Sequence, residues 1–180
     1  MVTVFLCCGA FLDAASAADY VSIDIPGAQA VYPMIVNNSG VVAGEFDQGT
    51  IRLGFVRQSD GTIDTFQAPG ANHIAVNGMN GKGQIVGTYT MGYRRKHSSE
   101  AGQSKDSEDG YHAFLRSPTG VLTTIDPPDA TSATATGINA GGAVIGISSV
   151  GSYIRANDGS YVLMPDFPYP WGINDSGMST

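Results

Sequence analysis

Apolar and polar positions along this chain fall into short runs separated by turn-forming residues, with no long helical stripe anywhere. Residues 30–37, 41–46, 52–58 and 62–67 form one group of such runs. Residues 73–80, 84–90, 111–116 and 121–126 form a second, and 133–139, 143–149, 152–156 and 160–164 a third. Val, Ile, Thr, Phe and Tyr fill the runs, and Gly, Asn, Asp and Pro bound them, so each run predicts a β-strand. Neither a heptad nor a 3.6-residue periodicity competes with that assignment. The pattern predicts an all-β chain.

A four-residue word sits after the first run of each group: Asn37-Asn38-Ser39-Gly40, Asn80-Gly81-Lys82-Gly83 and Asn139-Ala140-Gly141-Gly142. A fourth copy, Asn174-Asp175-Ser176-Gly177, follows near the C-terminus. Asn at the first place and Gly at the fourth suit a tight turn, because Asn bonds nearby backbone and Gly relaxes the exit. Ser59-Asp60-Gly61, Pro118-Thr119-Gly120 and Asn157-Asp158-Gly159 offer hairpin loops between the third and fourth runs. Each group therefore predicts a four-stranded antiparallel meander. Successive Asn positions lie 43, 59 and 35 residues apart. Setting aside residues 94–109, which carry no apolar periodicity, restores the first interval in the second, so that segment reads as a flexible insertion.

One small sheet cannot bury both faces, so such units must stack. Four strands in about 40–45 residues is the pattern of a β-propeller blade. The expectation is an incomplete propeller with three full blades, at about 30–67, 73–126 and 133–164. Partial blade strands are expected at 20–25 and 170–180, all within one domain over 19–180. The natural product is therefore expected to continue beyond Thr180 with further copies of the unit; if the 180-residue chain is complete, its open sheet edges should make it self-associate.

Residues 2–12 are apolar and Ala15-Ser16-Ala17-Ala18 offers small residues, which reads as a signal peptide over 1–18 and predicts a secreted, periplasmic or cell-surface location. No Lys or Arg precedes the apolar core, so the natural start is expected upstream. Nothing later is apolar enough to span a membrane. Both cysteines, Cys7 and Cys8, fall in that segment, which leaves the mature part without disulfide or thiolate chemistry. The net charge of −7 disfavours nucleic acid and anionic membranes as partners.

Tyr111-His112-Ala113-Phe114-Leu115-Arg116, then Thr124-Ile125-Asp126-Pro127-Pro128-Asp129-Ala130, then Gly137-Ile138-Asn139 resembles the HAF-type probable extracellular repeat of bacteria. Ile23-Asp24-Ile25-Pro26-Gly27-Ala28 and Ala68-Pro69-Gly70-Ala71 match that family's link, and Gly172-Ile173-Asn174 opens its last turn. Leu53-Gly54-Phe55-Val56-Arg57 and Ser152-Tyr153-Ile154-Arg155 look like degenerate copies of its His-Ala-Phe-Leu strand. The resemblance implies export and a β-rich repeat, and brings no reaction with it.

Candidate chemistry is sparse against this background. His112 reads as a packing residue whose counterparts in the other groups are Gly54 and Tyr153 or their neighbours. His73 begins an inner strand and His97 lies in the insertion, with no metal-ligand spacing among them. Gly81–Gly87 is too long for a dinucleotide loop and sits in a hairpin. Ser148-Ser149 lacks a nucleophile elbow. Asp24 and Asp126 occupy matching link positions, where they either bond backbone amides or serve as an acid–base pair. Trp171 and Tyr32, Tyr89, Tyr93, Tyr111, Tyr153, Tyr161 and Tyr169 either fill gaps between blades or stack on sugars. Arg94-Arg95-Lys96 reads as a solvated triplet in a charge-balanced loop.

No catalytic residue, metal ligand or cofactor is assigned, and the residues singled out are the structural turn positions Asn37, Gly40, Asn80, Gly83, Asn139, Gly142, Asn174 and Gly177. The leading expectation is an exported module that binds an unidentified glycan or protein ligand or has a cell-surface structural role. The alternatives are an extracellular polysaccharide-acting enzyme and a lectin-like oligomer.

Overall fold

A computed structural model describes residues 21–92, 110–167 and 169–177. The signal-peptide reading of 1–18, both cysteines, Tyr93, His97 and the insertion 94–109 lie outside the described residues. Among the described residues the chain is all-β, with twelve strands and no helix. The strands are β1 (Ala30–Val36), β2 (Val42–Gln48), β3 (Ile51–Arg57), β4 (Ile63–Phe66), β5 (His73–Met79) and β6 (Ile85–Thr90). They continue as β7 (Tyr111–Arg116), β8 (Leu122–Thr124), β9 (Ala133–Ile138), β10 (Val144–Ser148), β11 (Gly151–Arg155) and β12 (Tyr161–Met164). Each coincides with an expected run to within one or two residues at its ends.

β1 to β4, β5 to β8 and β9 to β12 each pair antiparallel in chain order, giving three meanders. A single parallel pair, Arg52 with His73, joins the first two meanders into an eight-stranded sheet. The third is a separate four-stranded sheet, and among the described residues neither sheet closes on itself. Residues 21–25, expected as an outer strand, belong to no strand, because Ile25 instead packs under Phe46, Leu53 and Phe55 on the first meander. At the C-terminal end the expected strand is reduced to an isolated bridge at Ile173 among the described residues.

The three meanders share local solutions to the same problem. In each, the second strand carries a glycine beneath an aromatic ring of the third: Gly44 under Phe55, Gly87 under Phe114 and Gly146 under Tyr153. A Cβ on Gly87 would lie 1.9 Å from the Ala75 carbonyl oxygen and 2.8 Å from the Phe114 ring, so no side chain fits. Opposite this glycine the first strand bulges by one residue, at Met34, Asn77 and Thr136, where the register skips. The link ahead of the first meander and the two between meanders turn through Ala28 N–H to Ile25 O, Ala71 to Ala68 and Ala130 to Pro127. Pro precedes a left-handed residue in each (Gly27, Gly70 and Asp129), as a type II turn requires.

The core lies between meanders. Ala43 and Val56 of the first pack with Ile74, Val76, Ile85 and Phe114 of the second. Val86, Ala113 and Ile125 of the second pack with Ala135, Val144 and Tyr153 of the third. Burying a Leu-, Ile- or Phe-sized side chain contributes roughly 1.5–3 kcal/mol, so each of these two junctions adds several such increments, and Ile25 with Phe46, Leu53 and Phe55 forms a third cluster on the first meander.

Candidate functional site

The turn word works between meanders as well as within them. Within the turn, Asn37 Oδ1 accepts the Ser39 and Val41 N–H groups at 2.9 and 3.1 Å. Asn80 Oδ1 accepts those of Lys82 and Gln84, both at 3.1 Å, and Asn139 Oδ1 that of Ala143 at 2.9 Å. The exit glycines Gly40, Gly83, Gly142 and Gly177 all have φ between 74° and 92°. Each amide nitrogen then reaches the following copy. Asn37 Nδ2 donates to Asn80 O at 3.4 Å, Asn80 Nδ2 to Asn139 O at 3.1 Å, and Asn139 Nδ2 to Asn174 O at 3.1 Å. Four asparagines thus form one continuous ladder across three junctions. A second rung comes from the bulge: Asn77 Nδ2 donates to Ala135 O at 2.8 Å and Thr136 Oγ1 to Pro170 O at 2.8 Å.

Two polar clusters do not recur in the other meanders. The first lies at the end of the strands where the links run, because Ala30, Asp47, Arg52 and His73 share one cross-strand row. Arg52 Nε donates to Asp47 Oδ1 at 2.8 Å, and its Nη1 approaches Glu45 Oε2 at 3.4 Å. The guanidinium lies over the Tyr32 ring, 4.6 Å from its centroid, and Tyr32 Oη donates to Asp47 Oδ2 at 3.1 Å. Glu45 Oε1 accepts the Val76 N–H at 2.8 Å across the junction to the second meander. Burial pushes the Glu45 carboxyl above its ordinary pKa, opposed by that N–H and by Arg52. Sequence reading passed over this cluster. The signal was present, since Glu45 and Asp47 stand where the second meander has Thr88 and Thr90.

The second cluster is on the second meander. His112 Nδ1 donates to Asp126 Oδ2 at 2.7 Å, and Asp126 Oδ1 accepts the Ala113 N–H at 2.8 Å. The imidazole stacks on Tyr89 with centroids 5.1 Å apart, and Tyr89 Oη bonds Thr124 Oγ1 at 2.8 Å. Asp126 therefore ties a link to the third strand, as the backbone-bonding alternative anticipated. By register the counterparts of His112 are Leu53, the neighbour of Gly54, and Gly151, two places from Tyr153, because His112 pairs Tyr89 as Leu53 pairs Phe46 and Gly151 pairs Ser148.

Asp24 is exposed and Asp126 has both oxygens engaged, so the structure does not join them as an acid–base pair. Tyr153 and Tyr89 are buried, whereas Tyr111, Tyr169 and Trp171 are 55%, 69% and 80% exposed. Gly81 to Gly87 spans the β5–β6 turn and the start of β6. Ser148 Oγ donates to Gly151 O, and Ser149 Oγ accepts from Thr131 N–H. Among the described residues no group of three or more His, Cys, Asp or Glu side chains could hold a metal ion, and no helix is long and apolar enough to cross a membrane. The fold defines an all-β protein of antiparallel four-strand meanders. No family model, curated protein or solved structure matches the chain.

Proposed function

We propose that this chain is a β-propeller-like repeat module, exported and used for binding rather than catalysis, with an unidentified glycan or protein as its ligand. The observation that carries the reading is the Asn37–Asn80–Asn139–Asn174 ladder. A bond repeated at every junction is what blades sharing one mode of stacking require. Polar residues away from the turn also serve that stacking: Glu45 holds Val76 and Asn77 holds Ala135 across the junctions. In this reading the ligand meets the link end, where the Arg52 guanidinium lies over Tyr32, the Arg52 N–H bonds Asn72 O and the Gln29 N–H bonds Asp47 O.

A glycan array run beside an activity screen on polysaccharides tests this reading. Binding without turnover supports it. Turnover that disappears on Asp126→Asn while the circular dichroism melt is retained overturns it in favour of the enzyme.

A further inference from the structure

Asn-Gly occurs twice in the chain, at Asn77-Gly78 and Asn80-Gly81. Asparagine is chemically labile, and a following glycine has no Cβ to shield its backbone nitrogen from the side-chain amide. Asn80 is 5% exposed, and its side chain is held at both ends by the Lys82 and Gln84 N–H groups, Gln84 Oε1 and Asn139 O. Asn77 is exposed. It is the extra residue of the β5 bulge, where the register skips from Val76 to Gly78 and strand pairing restrains the backbone least. Among the described residues its side-chain hydrogen bonds all leave from Nδ2, to Ala135 O at 2.8 Å and Thr88 Oγ1 at 3.3 Å.

Both members of the exposed pair serve the junction. Asn77 supplies a bond to the third meander, and a Cβ on Gly78 would lie 3.3 Å from Gly137 Cα and 3.0 Å from Val86 Cγ2. The glycine recurs as Gly137 and Gly172, but Thr136 and Trp171 precede it there, and the first copy has Met34-Ile35. The labile pair therefore falls at one junction alone, between the eight-stranded sheet and the separate four-stranded one.

We propose that Asn77 is a self-modifying site, at which deamidation through a succinimide weakens the contact between the second and third meanders. The Gly78 nitrogen gives its proton to hydroxide and bonds to Asn77 Cγ, the Cγ–Nδ2 bond breaks, and ammonia leaves with a proton from water. Water then opens the ring at either carbonyl, giving aspartate or isoaspartate. The product has no Nδ2 donor and sets a carboxylate against Ala135 O. Nothing in this chemistry involves a ligand, so it stands apart from the binding reading above.

The test incubates the folded full chain in mildly alkaline buffer and follows each asparagine by fragment-ion mass spectrometry, which resolves Asn77 from Asn80 at Met79. Asn77 should deamidate at least tenfold faster than Asn80. The deamidated fraction, isolated by anion exchange, should have a lower urea midpoint than the unmodified chain. Its amide exchange should quicken several-fold in β9 and β10 and stay unchanged in β2 and β3. Asn77→Asp should reproduce that shift. Asn77→Thr keeps a donor, as Thr136 does toward Pro170 O, and should retain the midpoint without being modified at that position. Equal rates at Asn77 and Asn80 overturn the proposal, as does a deamidated fraction that matches the unmodified chain in midpoint and exchange.

Discussion

Asn80 Nδ2 lies 3.1 Å from the backbone oxygen of Asn139, fifty-nine residues away, and 2.8 Å from Gln84 Oε1. With two N–H groups also bonded to Oδ1, every donor and acceptor of this buried side chain is in use. Asp at this position keeps the turn but sets a carboxylate oxygen against a carbonyl. Asn80→Asp should therefore destabilise by about 2–3 kcal/mol. Asn37→Asp, where the cross-junction bond is 3.4 Å and the site half-exposed, should cost less than about 1 kcal/mol. Urea denaturation of both variants measures the difference, and equal losses would dissolve the ladder argument.

Two kinds of glycine should respond differently. Gly87→Ala forces a Cβ into the Ala75 carbonyl and the Phe114 ring, so the chain should lose more than about 3 kcal/mol or fail to fold. Gly83→Val meets open space, its nearest neighbour being Pro118 at 3.9 Å, and is opposed by a φ of 78°. It should cost about 1–2 kcal/mol. Thermal melts that rank the two in reverse order would contradict the packing account.

Asp129 adopts a φ of 64° where the other links have Gly27 and Gly70. Replacing it with glycine removes the left-handed penalty but adds unfolded-state freedom. Asp129→Gly should stabilise by about 0.5 kcal/mol on that balance. A lower denaturation midpoint would mean that the Asp129 side chain contributes more than its backbone strain removes.

Glu45 gives a pH dependence with a definite sign. Its folded pKa is raised by burial, so the folded chain binds more protons than the unfolded one above the ordinary value of 4.5. Stability from this group is therefore greatest at low pH and falls as pH rises through the folded pKa. Glu45→Gln retains an acceptor for the Val76 N–H and should flatten that part of the profile. Glu45→Ala leaves the buried N–H without its acceptor and should cost about 1–3 kcal/mol at any pH. Denaturation series between pH 4 and 8 separate the two, and a profile unchanged by Glu45→Gln would remove Glu45 as its source.

His112→Gln should lower stability without altering ligand binding, since the ring's role is to hold Asp126 and cover Tyr89. Asp126→Ala should cost more, because it also strips the acceptor from the fully buried Ala113 N–H. A double-mutant cycle measured by urea denaturation should return a coupling of about 0.5–3 kcal/mol between the two residues.

What the sequence determined by itself was local. Strand positions followed from short apolar runs closed by Gly, Asn and Pro, and the turns followed from Asn-Xaa-Xaa-Gly, because a left-handed exit and an Asx bond are decided within five residues. The glycines of the second strand close the similar stretches Val41-Val42-Ala43-Gly44, Gln84-Ile85-Val86-Gly87 and Ala143-Val144-Ile145-Gly146, but their cause, an aromatic ring from the next strand, lies outside those stretches. The failure of 21–25 to form a strand was equally illegible, since pairing needs a neighbour and the isoleucines there found a core instead. Tertiary structure alone decided that Asn80 bonds Asn139, that Glu45 caps Val76 and that His112 pairs with Asp126. Those contacts join residues 14 to 59 positions apart, and turn chemistry does not specify which meander face meets which.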